Sequence, residues 1–142
     1  MINLRPLSGL VGLHTLRLIN CTKLNDLRPL STLVGLHTLQ LHGCGNLEDV
    51  RPLSALTGLR TLKLDLNGLF RSWGQLSDLA PLTTLIGLQT LHLDSCVSLT
   101  DLGPLAVLTG IRKMSLERCE GLRDVGPLSS ASRRSASAAA GS

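Results

Sequence analysis

The stretch Leu27-Arg28-Pro29-Leu30-Ser31-Thr32-Leu33-Val34-Gly35-Leu36-His37-Thr38-Leu39-Gln40-Leu41-His42-Gly43-Cys44-Gly45-Asn46-Leu47-Glu48-Asp49 decides the fold. Its leucines recur every three residues, with one step of two at Leu39-Leu41. A period of three matches neither the roughly 3.6 of an α-helix nor the 2 of a strand over any distance. It fits a chain that coils with short corners. The step of two marks a strand, in which the leucines point inward and their neighbours outward. Pro29 and the glycines exclude a long helix.

The same register runs through the chain. Prolines stand at 6, 29, 52, 81, 104 and 127, with spacings of 23, 23, 29, 23 and 23. The units are Leu4–Asp26, Leu27–Asp49, Val50–Asp78, Leu79–Asp101 and Leu102–Asp124. A sixth starts at Val125 and stops after Leu128, and Met1-Ile2-Asn3 reads as the end of an earlier unit. One unit is too small to bury its own leucines. Stacked units bury them together, so the core is a one-dimensional column.

Composition agrees. Of 142 residues 35 are leucine, and Phe70 and Trp73 are the only aromatics, so leucine must build the core. The length allows one domain. Residues 1–128 are read as the solenoid, five full repeats with partial repeats at each end; the Ser/Ala-rich segment 129–142 is expected to lack regular structure. Lys+Arg 14 against Asp+Glu 10 gives +4, and Arg133 and Arg134 lie in that tail. This is not the basic footprint of a nucleic-acid domain. The scarcity of aromatics removes a stacking platform for single strands. No apolar run is long enough to span a membrane. The first residues do not form a charged start followed by an apolar stretch, so a cytoplasmic setting is the default expectation. A secreted or surface setting applies if the chain is a fragment or is exported unconventionally.

Leu59-x-x-Leu62-x-Leu64-x-x-Asn67 and Leu36-x-x-Leu39-x-Leu41-x-x-Cys44 resemble the leucine-rich repeat signature. The following Leu24-Asn25-Asp26-Leu27-Arg28-Pro29-Leu30 resembles the internalin-like subclass, and the 23-residue Cys-bearing unit with Gly-Leu-His-Thr-Leu is similar to leucine-rich repeat proteins of kinetoplastid parasites. The resemblance implies an α/β solenoid: a right-handed horseshoe, with a parallel sheet on the concave face and short 3₁₀ or irregular segments on the convex face. It implies binding, seldom catalysis. Two departures stand out: neither end carries a recognisable cap, and the third unit is six residues too long.

Several residue sets have both a functional and a structural reading. Cys21, Cys44, Cys96 and Cys119 share one slot, which Asn67 fills in the third unit. In-register neighbours on one edge point the same way, which is poor disulfide geometry. Buried thiols satisfying backbone groups are the favoured reading, with disulfides or a metal as the alternatives. Asp26, Asp49, Asp78, Asp101 and Asp124 form another column, read as turn caps before the Leu-x-Pro-Leu corner. Arg5, Arg28 and Arg51 lie beside it.

Three outward columns cross the sheet: Thr15, Thr38, Thr61, Thr90, Lys113; Arg17, Gln40, Lys63, His92, Ser115; and Ile19, His42, Asp65, Asp94, Glu117. The candidate partner-binding residues among them are Arg17, Lys63, His92, His42, Asp65, Asp94 and Glu117. Stacked like charges in the third column are unfavourable. A partner site or a solvated face balanced by Lys63, Lys113 and Arg118 both explain them. The extra residues of the third unit bring Phe70, Arg71 and Trp73 together between Gly68 and Gln75. Tryptophan and arginine dominate interface hot spots; a plug folded back on the core is the other reading.

No nucleophile–base pair, phosphate loop or metal-ligand spacing is visible, so no enzyme, cofactor or metal site is expected. The leading function is a non-catalytic protein–protein interaction module, in its sharper form a parasite protein contacting a host cell. An intracellular scaffold, the recognition arm of a larger protein, or a polyanion binder for RNA or glycan are the alternatives. Self-association through the uncapped ends is expected as well.

Overall fold

The computed structural model describes residues 3–47, 49–66, 76–119, 122 and the backbone of 136–138. The chain alternates 3₁₀ turns and strands: Arg5–Leu7, β1 Thr15–Ile19, Arg28–Thr32, β2 Thr38–His42, Arg51–Ala55, β3 Thr61–Asp65, Ala80–Thr84, β4 Thr90–Asp94, Gly103–Val107 and β5 Lys113–Leu116. Among the described residues the helical component is 3₁₀ throughout. The strands form one parallel sheet in sequence order. The register sets Thr15, Thr38, Thr61, Thr90 and Lys113 side by side, and the two neighbouring columns likewise.

Each 3₁₀ turn has the same cause. Proline fixes φ one or two residues into the turn, where no amide hydrogen is needed. A side chain two residues before the turn's first residue supplies the missing acceptor. The Oδ1 atoms of Asn3, Asp26, Asp49, Asp78 and Asp101 accept the backbone N–H of Arg5, Arg28, Arg51, Ala80 and Gly103 at 2.8–3.0 Å. The aspartate column is a row of caps.

Between turn and strand the leucines close on one another. In the second unit Leu27, Leu30, Leu33, Leu36, Leu39 and Leu41 are all fully buried, as are their counterparts in the third and fourth units. In the first unit Leu7, Leu13, Leu16 and Leu18 are only partly buried, because among the described residues no repeat lies on their outer side. Leaving each strand, the chain turns through a left-handed residue: Asn20, Gly43, Ser95 and Arg118 have φ of 59–73°. A Cβ on Gly43 would sit 2.9 Å from Asn20 Oδ1, so a side chain there would have to displace the Asn20 amide as well as adopt the left-handed backbone. In the third unit this slot holds Leu66, which is buried and not left-handed. The turn therefore changes where the extra residues begin. Phe70, Arg71 and Trp73, with the whole 68–75 insertion, Asn67, Asp124 and the sixth-unit start at 125–128, lie outside the described residues.

A sixth strand, β6 Ala136–Ala138, pairs parallel with β5, Met114 opposite Ala136. This departs from the reading of 129–142 as a tail without regular structure. The free edge of β5 is the reason: its unpaired N–H and C=O groups accept any extended segment.

Candidate functional site

The sheet's open face presents alternate residues of five strands, because the leucines between them are buried. Arg17, Gln40, Lys63, His92 and Ser115 form its central column, and Ile19, His42, Asp65 and Asp94 the next. Glu117 continues that second column just past β5, where its carbonyl accepts Ser95 N–H at 2.8 Å.

The column of acids is partnered from neighbouring strands. His42 Nδ1 lies 3.0 Å from Asp65 Oδ2. Ser115 Oγ donates to Asp94 Oδ1 at 3.0 Å. Gln40, His42, Lys63, Asp65, His92 and Asp94 line a shallow pocket of about 160 Å³. The structure thus gathers five of the sequence-derived candidates, while Arg17 and Glu117 flank the pocket at opposite ends of the sheet. The role of Ser115 was not legible beforehand; its position diagonal to Asp94 was the available signal.

Burial holds the Asp94 carboxyl above its ordinary range, and Glu117 adds to this while the Ser115 bond opposes it. Burial, with Lys63 nearby, holds the His92 imidazole below its ordinary range. The pocket therefore holds a neutral-leaning imidazole beside a carboxylate of weakened acidity. Among the described residues no group of His, Cys, Asp and Glu is arranged to hold a metal ion.

On the opposite side, Arg28 and Arg51 fork onto Asp26 and Asp49, with Nη2–Oδ2 distances of 2.9 Å. The guanidinium lowers the Asp26 carboxyl to about 2. These residues and Arg5 line a groove of about 690 Å³. The four cysteines are free thiols. Each Sγ reaches the carbonyl oxygen two residues earlier, at 3.7–3.8 Å: Ile19, His42, Asp94 and Glu117. The repeat of this contact explains the slot as a small polar group satisfying a turn.

No protein-family model and no curated protein matches the chain. Among solved structures, a crystal structure of internalin C2 from Listeria monocytogenes str. 4b F2365 superposes with a TM-score of 0.78 and 30% sequence identity. The match covers 96% of this chain and 56% of that one, so the chain spans little more than half the length of the internalin. The proline-spaced repeat, the in-register parallel sheet with its 3₁₀ corners and this likeness together establish the chain as a leucine-rich repeat solenoid.

Proposed function

We propose that the chain is a non-catalytic protein-binding module that takes its partner on the open sheet face, around His42, Lys63, Asp65, His92 and Asp94, with Arg17 and Glu117 at the margins and the 68–75 segment as a second contact through Phe70, Arg71 and Trp73. One observation carries the reading. Side chains from separate repeats are fixed against one another, His42 to Asp65 and Ser115 to Asp94, above a layer of buried leucine. A polar surface held in place by its neighbours loses little entropy on binding. The sharper form, contact with a host cell, rests on the resemblance to internalin-like and kinetoplastid repeats.

Affinity capture from host and self lysates, followed by mass spectrometry, tests the reading. The same capture is run with a Lys63→Ala/Asp94→Asn variant. A partner retained by the parent and lost with the variant supports it. A partner retained equally by both places binding elsewhere on the solenoid.

A further inference from the structure

All ten acidic residues of the chain lie in the second part of the repeat, from the last outward strand residue to the proline corner. Residues 7–18, 30–41, 53–64, 82–93 and 105–116 contain none. These segments form the rim where each 3₁₀ turn leads into its strand. Two columns run along that rim, exposed except for half-buried His37. One is Val11, Val34, Thr57, Ile86 and Thr109, β-branched throughout, with Val11 63%, Val34 61% and Ile86 72% exposed. The other is His14, His37, Arg60, Gln89 and Arg112, with Lys113 of the adjoining column next to its last member.

The backbone shows that these are true columns. The carbonyl of His14 accepts both His37 N–H and Thr38 N–H, at 2.8 and 3.0 Å, and the pattern repeats at His37, Arg60 and Gln89. The rings of His14 and His37 stack with centroids 5.0 Å apart. A Cβ on Gly35 would lie 3.3 Å from the Val11 carbonyl oxygen, so consecutive corners touch. The amides at the start of β2 to β5 are thus engaged between repeats and are not open to an added peptide strand. The rim offers side chains alone: the aliphatics Val11, Val34 and Ile86 in one row, and beside it the cations Arg60 and Arg112 with the adjoining Lys113.

We propose that this rim docks on an anionic phospholipid surface. The two rows favour a bilayer over other polyanions. Nucleic acid would meet the cations and leave Val11, Val34 and Ile86 against phosphate and water. A bilayer takes both, with cations at the headgroups and aliphatic tips below them. Asp65, Asp94 and Glu117 stand towards the far ends of the strands, roughly 13 Å from the strand starts at about 3.3 Å per residue, and Asp26, Asp49, Asp78 and Asp101 stand before the 3₁₀ turns. Docking by the rim leaves the open sheet face free, so the inference stands apart from the protein-binding reading.

The test is flotation of the full chain with phosphatidylcholine vesicles, with and without phosphatidylserine, at low and high salt. Both variants use residues already found in the same slots, so the fold is retained. Arg60→Gln/Arg112→Gln/Lys113→Thr removes the cations; Val11→Thr/Val34→Thr/Ile86→Thr removes the aliphatics. Binding should require phosphatidylserine and weaken with salt. The charge variant should lower it at least about tenfold, since each cation near an anionic surface is worth about fivefold. The aliphatic variant should lower it several-fold. Absence of binding, or binding unchanged in either variant, overturns the proposal. So does binding that disappears with Arg133→Ser/Arg134→Ser, which would assign it to the tail. Equal affinity for duplex DNA, insensitive to the aliphatic variant, would replace it with a general polyanion site.

Discussion

Asp65 on β3 and Asp94 on β4 stand directly opposite each other in the parallel register. Two carboxylates so placed repel. The solenoid answers from both sides: His42 of the preceding strand meets Asp65, and Ser115 of the following strand meets Asp94. The pocket's chemistry follows from this sharing across repeats.

Asp94 and His92 should give opposite slopes of stability against pH. The folded state raises the Asp94 pKa, so it takes a proton more readily than the unfolded chain. Its charge opposes folding at neutral pH, and stability should recover as pH falls through the folded pKa towards about 3.9. The folded state lowers the His92 pKa, so stability should fall as pH drops below about 6.5. Thermal melts from neutral to mildly acidic pH should show Asp94→Asn at least as stable as the parent at pH 7, because asparagine keeps the Ser115 bond. His92→Gln should remove the loss below about pH 6.5. A clear drop for Asp94→Asn at neutral pH would mean that its charge is stabilising.

The caps should be separable from the ion pairs. Asp101 accepts Gly103 N–H at 2.8 Å, and Gly103 stands where the first three units have an arginine. Asp101→Ala should lower stability by about 1 kcal/mol, as for loss of a helix cap. Asp101→Asn should change it by a few tenths at most, because Asn3 performs the same task at Arg5. Denaturant melts distinguish the two; equal losses would show that charge rather than capping matters.

The leucine column should weaken only at its open end. Leu33 is 0% exposed and Leu10, in the same slot, is 48% exposed. Leu33→Ala should cost about 2–5 kcal/mol, and Leu10→Ala well under half as much. The same open face is expected to self-associate, detected as a mass that grows with concentration in light scattering. A concentration-independent monomer would show that the face is covered.

Most of this architecture was legible because stacking turns sequence period into spatial register. The 23-residue spacing of Pro29 and Pro52 places Thr38 beside Thr61 and His42 beside Asp65 without further information. The aspartate caps were legible for the same reason: one slot before one corner has one job. What the period does not encode is the choice of partner within a column. His42 meets Asp65 and Ser115 meets Asp94, and the column pattern alone singles out neither, because side-chain reach decides among neighbours that register makes equivalent. The β6 pairing was illegible too, since 129–142 carries no repeat register and the edge it meets is a property of the backbone.

Thiol reactivity should follow position in the array. Cys44, Cys96 and Cys119 are buried, while Cys21 lies half-buried at the open end. Burial pushes the Cys44 thiol up to about 11, which suppresses the reactive thiolate. A thiol reagent in native buffer should label Cys21 first, and the other three only on unfolding. Rapid labelling of Cys96 or Cys119 in the native state would overturn the structural role of the slot.

The 68–75 segment is the remaining candidate, and its two readings differ in what they do to the fold. The chain enters it from buried Leu66 and returns to register at buried Leu76, so the core is continuous on both sides. Closure entropy grows slowly with loop length, so trimming six residues should change stability by at most ~1–2 kcal/mol. If Trp73 or Arg71 is a hot spot, alanine at either should weaken partner binding by about 2 kcal/mol or more and leave melting nearly unchanged. If Trp73 is a plug, Trp73→Ala should destabilise by ~3–5 kcal/mol and leave the affinity of the folded fraction intact. Trp73 is the only tryptophan, so its emission reports the segment alone. A red, readily quenched spectrum that moves blue with partner supports contact. A blue, unquenchable spectrum in the free protein assigns the loop to the core and leaves the pocket around Lys63, His92 and Asp94 as the place where binding is decided.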